Sequence, residues 1–392
     1  MSSDARGVDS PSTVAVAAFL TSICVLPLML MPFLVGAAAR DFSVAPRQLG
    51  FVAGSMIGGV IVVMASSVLW VRKCNWRVLV AAGASIAVAG YLLAGHVRGF
   101  VAMSTLLFIA SCGSGLVYAP SICALSDTKN PDRSFGYSFF LQILVSGLIG
   151  FIATGIAQRW GLSGLLDLIA IFFALALMLV SFLPARGTKI GAVDAIGRAA
   201  GGFPVWAGLT GMLLLSAGPV AVWTFFERIG DAAGFSEHSV GNAIATALLM
   251  GAPGALLSSF AGKQFGRLGP LAVSTVAMVA TFAAAVITRN ILVYLLCGVL
   301  FQFLWNFGLA FQFGAMAVVD VSGRLIVLAP TFQGLGAMAG PAVAGMLVRD
   351  SDYAPVAVVG GLCAVCGLIL IVWLCRAPTM HSSGAVGIPP KG

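Results

Sequence analysis

Apolar residues in this chain come in runs of about twenty positions, cut by short clusters of charge. Runs of that length match the ~20 residues a helix needs to cross a hydrocarbon core of ~30 Å. Cutting at the charge clusters predicts spans near 12–37, 48–71, 78–96, 99–126, 134–157 and 161–183, then 204–229, 238–262, 268–287, 291–318, 325–348 and 353–375. Little is left over. Residues 1–11 form an N-terminal tail, 184–203 a central loop carrying Arg186, Lys189, Asp194 and Arg198, and 377–392 a tail poor in apolar residues and expected to be disordered. The prediction is an all-α membrane protein of twelve transmembrane helices in two six-helix bundles, 12–183 and 204–376. The first apolar run is longer than a signal-peptide core and its leading segment, with Asp4, Arg6 and Asp9, is not basic, so it reads as a retained helix.

Composition agrees, because 60% of the 392 residues are hydrophobic and 9% charged, whereas a soluble domain carries about a quarter charged residues. The formal charge of +8 changes the picture only through its placement. With twelve spans and the N-terminus inside, cytoplasmic segments hold 14 Lys/Arg and outer ones seven, while the acids divide six and six with Asp167 left inside a span. That asymmetry is the positive-inside signature and predicts cytoplasmic N- and C-termini; it gives no reason to expect a nucleic-acid partner. Six of the eight Cys lie within apolar spans, and Cys363 and Cys366 form a CxxC without a nearby His or charge, so neither metal nor cofactor is expected. Three His without ligand spacing, no phosphate-binding loop and no nucleophile elbow argue against an enzyme.

The two sets of spans echo one another. Asp127, Arg133 and Gln142 follow the fourth span; Asp320, Arg324 and Gln333 follow the tenth, with nine residues from Arg to Gln in both cases, and Gly-rich helix follows each Gln. Such internal symmetry is a mark of transporters. On the six-plus-six count, the basic central loop and this repeat, the chain resembles the major facilitator superfamily from about Ser12 to Arg376. Its loop motif, Gly-x-x-x-Asp-Arg-x-Gly-Arg-Arg, survives in altered form at Gly262, Lys263, Gly266 and Arg267 and more faintly at Arg72, Lys73 and Arg77, and Gly113 and Gly115 match the fourth-helix Gly-x-Gly. The resemblance implies a pseudo-symmetric fold whose first, fourth, seventh and tenth helices line a central cavity, and alternating access by rocking of the halves.

Polar groups inside spans are the candidate chemistry, since each costs free energy in hydrocarbon unless paired or wet. Gln142 and Gln333 lie nine residues past a cytoplasmic Arg, roughly 13 Å deep at 1.5 Å per residue, and could contact substrate or bond a neighbouring helix. Ser111, Ser114, Tyr118 and Ser121 share one helix face, either a cavity wall or a close-packing surface. Gln302, Trp305, Asn306 and Gln312 make the tenth span unusually polar, with Trp305 a platform for a ring or chain. Glu227 and Arg228 close the seventh span near the outer mouth: a proton site, an anion-binding Arg, an outer gate with Arg40 and Asp41, or a solvated interfacial pair. Asp41 and Asp167 complete the proton-coupling candidates, with structural pairing the alternative for Asp167. Asp127, Arg133, Asp320, Arg324, Lys263 and Arg267 look like the cytoplasmic gate that the resemblance implies.

These residues predict a secondary transporter of a small organic solute, moderately apolar or monoanionic, coupled to protons. A facilitative uniporter or an exporter of drugs or metabolites with the same fold is the alternative, and a membrane sensor without net transport is the alternative of another class. The short loops and the lack of any Asn-x-Ser/Thr sequon fit a monomer in the plasma (inner) membrane of a bacterium.

Overall fold

The computed structural model describes residues 7–42, 45–187, 203–319, 324–349 and 352–376. The described chain is almost wholly helical: α1 (Pro11–Met29), α2 (Met31–Phe42), α3 (Pro46–Trp70), α4 (Trp76–His96), α5 (Phe100–Ser126), α6 (Pro131–Leu179), α7 (Phe203–Thr224), α8 (Phe226–Ala232), α9 (Glu237–Leu249), α10 (Gly251–Phe265), α11 (Leu268–Ile287), α12 (Ile291–Val319), α13 (Arg324–Leu347) and α14 (Ala354–Arg376). Starts are set by local chemistry. Pro occupies the first turn of α1, α3 and α6, where its missing N–H would have had no partner. Asn75 and Ser236 cap α4 and α9 by accepting from the Arg77 and Ser239 amides.

Ten helices among the described residues are long and apolar enough to cross a membrane. One of them, Arg133–Phe182, is 50 residues long, more than twice what a bilayer requires, and it doubles back. Ser138 near its start meets Thr21, and Phe182 at its end accepts from Thr13, so both ends lie beside the first half of α1. The reversal is at Gly161, with φ 59° and ψ −146°, a conformation that costs glycine least. Counting that helix twice and adding the 24-residue α13 gives twelve crossings among the described residues. Both 377–392 and most of the central loop lie outside the described residues.

Three crossings are broken where the sequence pattern is continuous: at Leu30 between α1 and α2, at Phe225 between α7 and α8, and at Met250 between α9 and α10. Pro27 and Pro219 precede the first two breaks by one turn or two, each removing a helical hydrogen bond. Glu227 and Arg228 therefore sit in α8, past a break, rather than in the last turns of an unbroken seventh helix.

The first six crossings form one half and the last six the other. Two seams join them: α3 against α13, and the first arm of α6 against α9. Each helix of one seam lies six crossings from a helix of the other, as a two-fold relation between halves requires. The face where α1 begins and α14 ends is termed the tail face, the opposite one the far face. Along the first seam Pro46, Gly50, Gly54 and Ile61 meet Gly345, Pro341, Met338 and Gly334 in turn; along the second Thr154, Gly150 and Gly147 meet Gly241, Ala245 and Leu249. Both named sets run from the far face to about mid-depth. The apolar core follows the same division. One buried cluster, from Leu20 and Phe33 to Phe225 and Phe301, passes through both halves, whereas Leu209, Met212, Leu271, Phe311, Ile371 and Leu374 form a separate cluster at the tail face of the second half. The halves share a core toward the far face and part toward the tail face.

Candidate functional site

The far-face closure is built on one arginine. Arg40, in the last turn of α2, donates to Oε1 of Glu227 on α8 and lies 3.6 Å from Oε1 of Glu237 on α9. The break at Phe225 turns the first residues of α8 against α2, so that Glu227 is 5% exposed, and its Oε2 is buried without a hydrogen-bond partner. That oxygen rests on Gly36, where any side chain would collide with it. Glu227 follows the apolar stretch Trp206–Thr224. Beside it Trp223 donates to the Met29 carbonyl, 3.1 Å away in the other half.

Two other charges near this face have partners of their own. Arg228 bonds Asp231 at 2.7 Å and stands beside Tyr353, while its Nε is buried without a hydrogen-bond partner among the described residues. Asp41 accepts from the Leu162 amide at 2.7 Å and caps the returning arm of α6 just after Gly161. Neighbouring residues on α2 thus serve opposite halves, Arg40 reaching across the seam and Asp41 holding the hairpin behind it. Asp167 is half-buried in that returning arm, and its Oδ1 is buried with no hydrogen-bond partner among the described residues.

The amides divide by neighbour. Gln142 donates to Ser138 at 3.1 Å, and Ser138 meets Thr21 at 2.7 Å, a polar chain from α6 to α1. Gln333 donates to Oε1 of Gln312 at 3.1 Å, linking α13 to α12. The repeated Gln thus engages a different helix in each half. Asn306 donates to the Gln302 carbonyl at 2.9 Å and packs on Gly251 of α10. The stripe on α5 is a packing surface over most of its length: Ser111 donates to the Met56 carbonyl and accepts from the Val60 amide, Ser114 bonds the Ala110 carbonyl and lies 3.4 Å from the Tyr91 hydroxyl, and Ser121 bonds the Val117 carbonyl. All three serines are buried, and only Tyr118 is half-buried.

At the tail face, Arg72, Arg133 and Arg267 bond within their own half. Arg72 pairs with the buried Asp127, and Gly187 closes over the pair. Arg133 donates to the Tyr137 hydroxyl one turn on, and Arg267 donates to the Gly314 carbonyl at 2.9 Å. Asp320 and the side chains of Arg324 and Lys263 lie outside the described residues.

The structure also contains a cavity beside Trp305 and Gln312 of the polar tenth span. Pro219 of α7, Ser274 and Thr275 of α11, and Trp305, Gly308 and Gln312 of α12 line a half-open space of ≈ 10 Å³ as seen by a water's centre, room for about one water. Trp305 and Gln312 were legible as part of the unusually polar tenth span, whereas the adjacent hydroxyls of α11 were not singled out. Gly36 and Glu237 had no legible signal, because their parts are set by what α2 meets across the seam.

No protein-family model matches this chain, and no curated protein sequence does. Solved structures match over nearly its whole length. The nucleoside transporter NupG is similar with a TM-score of 0.68 at 15% identity, over 92% of this chain and 98% of that one. A bacterial homolog of the human lysosomal transporter Spinster, inward-facing and unoccupied, is similar at 0.72 and 13% identity, over 94% and 96%. A D-xylose–proton symporter is similar at 0.69 and 13% identity, over 94% and 98%. These likenesses define the class by its fold: a multi-pass all-α membrane protein with the arrangement seen in these transporters. More particularly, the chain has the major facilitator fold.

Proposed function

We propose that this protein is a secondary transporter of a small, moderately apolar organic solute, working by alternating access and coupled to protons through Glu227. The carrying observation is the contrast between the two faces: an ion pair on a buried carboxylate joins the halves at one, while Arg72, Arg133 and Arg267 at the other bond within one half. A machine that opens its faces in turn needs one closure that can be released, and a carboxylate gripped by a single arginine is released by one proton. The fold is one used by a nucleoside transporter and by a sugar–proton symporter, which supports solute carriage. The excess of Lys and Arg on the tail-face segments supports a cytoplasmic tail face and a plasma-membrane location. With Arg228 engaged by Asp231, the support for an anionic solute weakens in favour of a neutral one. Residues 12–183 and 204–376 would be the rocking bodies, and the gate expected at Asp127, Arg133, Asp320, Arg324, Lys263 and Arg267 would act when the tail face closes.

The test is reconstitution. A thermal-shift screen of the purified protein finds a ligand, and labelled ligand is then followed into proteoliposomes with and without an imposed pH gradient. Accumulation that follows the gradient is expected, and Glu227→Gln should abolish it while sparing exchange. Binding without any accumulation would instead make the protein a sensor. Gradient-driven uptake unchanged in Glu227→Gln would remove that residue from coupling.

A further inference from the structure

The cavity between α7, α11 and α12 brings two hydroxyls with no assigned role, Ser274 and Thr275, beside Gln312, and the hydrogen bonding of all three is one-sided. Ser274 and Thr275 each donate to the same carbonyl, that of Leu271, at 3.0 and 2.8 Å. With their protons spent on the helix, the two hydroxyl oxygens retain only lone pairs to offer. Gln312 uses its Oε1 to accept from Gln333, which leaves its Nε2 to donate. All three residues are buried, at 2%, 2% and 8% exposure. The space exists because position 308 is glycine: a Cβ there would stand 2.9 Å from the Ser274 hydroxyl. On the first-half side, Trp223 of α7, which donates to the Met29 carbonyl, stacks on Phe301 of α12, one turn from Trp305. The Trp305 ring forms one wall.

We infer that this cavity is a specificity subsite of the transport route, taking one uncharged hydroxyl group of a solute whose body lies against Trp305. This rests on the reading of the protein as a solute carrier. The space admits about one oxygen-sized group. A hydroxyl can donate to Ser274 or Thr275 and accept from Gln312 at once. A methyl group would leave buried polar atoms unpaired, an ammonium would meet the Gln312 N–H, and a carboxylate would meet two lone-pair-only oxygens. Among the described residues no charged side chain lines the cavity, which favours a neutral group.

The test uses the purified full chain and matched pairs of uncharged ring-bearing solutes that differ by one hydroxyl: purine ribosides and their deoxy forms, pyranoses and their deoxy forms, benzyl alcohols and methylbenzenes. Binding is read by calorimetry. The wild type should bind the hydroxylated member of at least one pair ~10-fold more tightly or better. Thr275→Val and Ser274→Ala, which remove acceptors facing the cavity, should bring that ratio close to one while leaving the partner lacking the hydroxyl unaffected. Gly308→Ala should do the same by filling the space. The thermal unfolding temperature of each variant establishes that it is folded, and Thr275→Val, nearly isosteric, carries the test if Gly308→Ala is not. The assignment is overturned if the wild type discriminates within no pair, or if its ratio survives in Ser274→Ala and Thr275→Val together. Failure of the carrier reading looks different: discrimination is kept and lost as stated, but no labelled pair member accumulates in proteoliposomes.

Discussion

The two faces of this molecule both carry charge and use it in different ways. At the far face Arg40 crosses from α2 to Glu227 and Glu237, and the apolar cluster behind it belongs to both halves. At the tail face Arg72 and Asp127 pair within one half, Arg267 bonds Gly314 within the other, and the second half has an apolar cluster of its own. Bonds inside a half need never break, so they can be as deep as packing allows, and Asp127 has no exposed side-chain surface. A bond across the seam has to be releasable. A buried ion pair suits that use because desolvation offsets much of its attraction, so a small change, such as one proton on Glu227, can tip it.

The largest effect is expected from Arg40→Ala, which strands a buried carboxylate; breaking such a pair from one side costs about 3–5 kcal/mol. Spin labels on the exposed far-face residues 98 and 289 should move apart, and labels at residues 74 and 266 of the tail face should approach. An unchanged pair of distances would show that Arg40 does not hold the halves together. Glu227→Gln should shift the same distances less, since a hydrogen bond to a charged partner contributes about 1.5–3 kcal/mol. The pH dependence has a definite sign. Protonating Glu227 removes the charge that Arg40 grips, so falling pH should open the far face in the wild type. That response should be absent in Glu227→Gln.

A smaller effect belongs to the seam itself. At Gly50 the α3 backbone lies so close to the Pro341 carbonyl that no side chain fits, whereas a side chain at Gly155 meets nothing within 4 Å. Gly50→Val should shift the label distances toward an open far face at an overpacking cost of about 1–3 kcal/mol. Gly155→Val, on the same fold but off the seam, should leave them where they were.

What the sequence could show follows the same line. Crossings were legible because hydropathy is a local property: charge clusters at Arg72–Arg77 or Lys129–Arg133 end helices whatever the rest of the chain does. The hairpin in α6 was legible too, as a gap between spans at 157 and 161, although its returning arm is secured by Asp41, 121 residues away. Breaks at Leu30 and Phe225 were marked only by Pro27 and Pro219 upstream, since both sit in apolar sequence like their surroundings. Among site residues, polarity in an apolar run identified Gln142, Gln333, Gln302, Asn306 and Glu227 as groups needing partners. Which partner each takes depends on the helix opposite. The two halves repeat Gln142 and Gln333 in sequence yet give them a hydroxyl on the same helix and an amide on another. The cavity at Gly308 is a gap between three helices and belongs to no stretch of sequence.

The smallest expected effect is also the sharpest test of the comparison. Arg267 is exposed and bonds a carbonyl of its own half, so Arg267→Ala should change stability and both label distances little, within about 0.5 kcal/mol. That neutrality should hold only while the tail face is open. If the tail-face charges close that face in the other state, as the repeat of Asp127 and Arg133 in Asp320 and Arg324 implies, Arg267→Ala should matter once Arg40→Ala has opened the far face. The two residues are at opposite ends of the molecule, where substitutions ordinarily add within about 0.5 kcal/mol. A double variant whose tail-face labels stay apart while those of Arg40→Ala alone approach would show coupling through the rocking of the halves. Strict additivity in label distances and in thermal stability would instead make the tail-face charges local supports in both states, and the two faces would differ in kind rather than in phase.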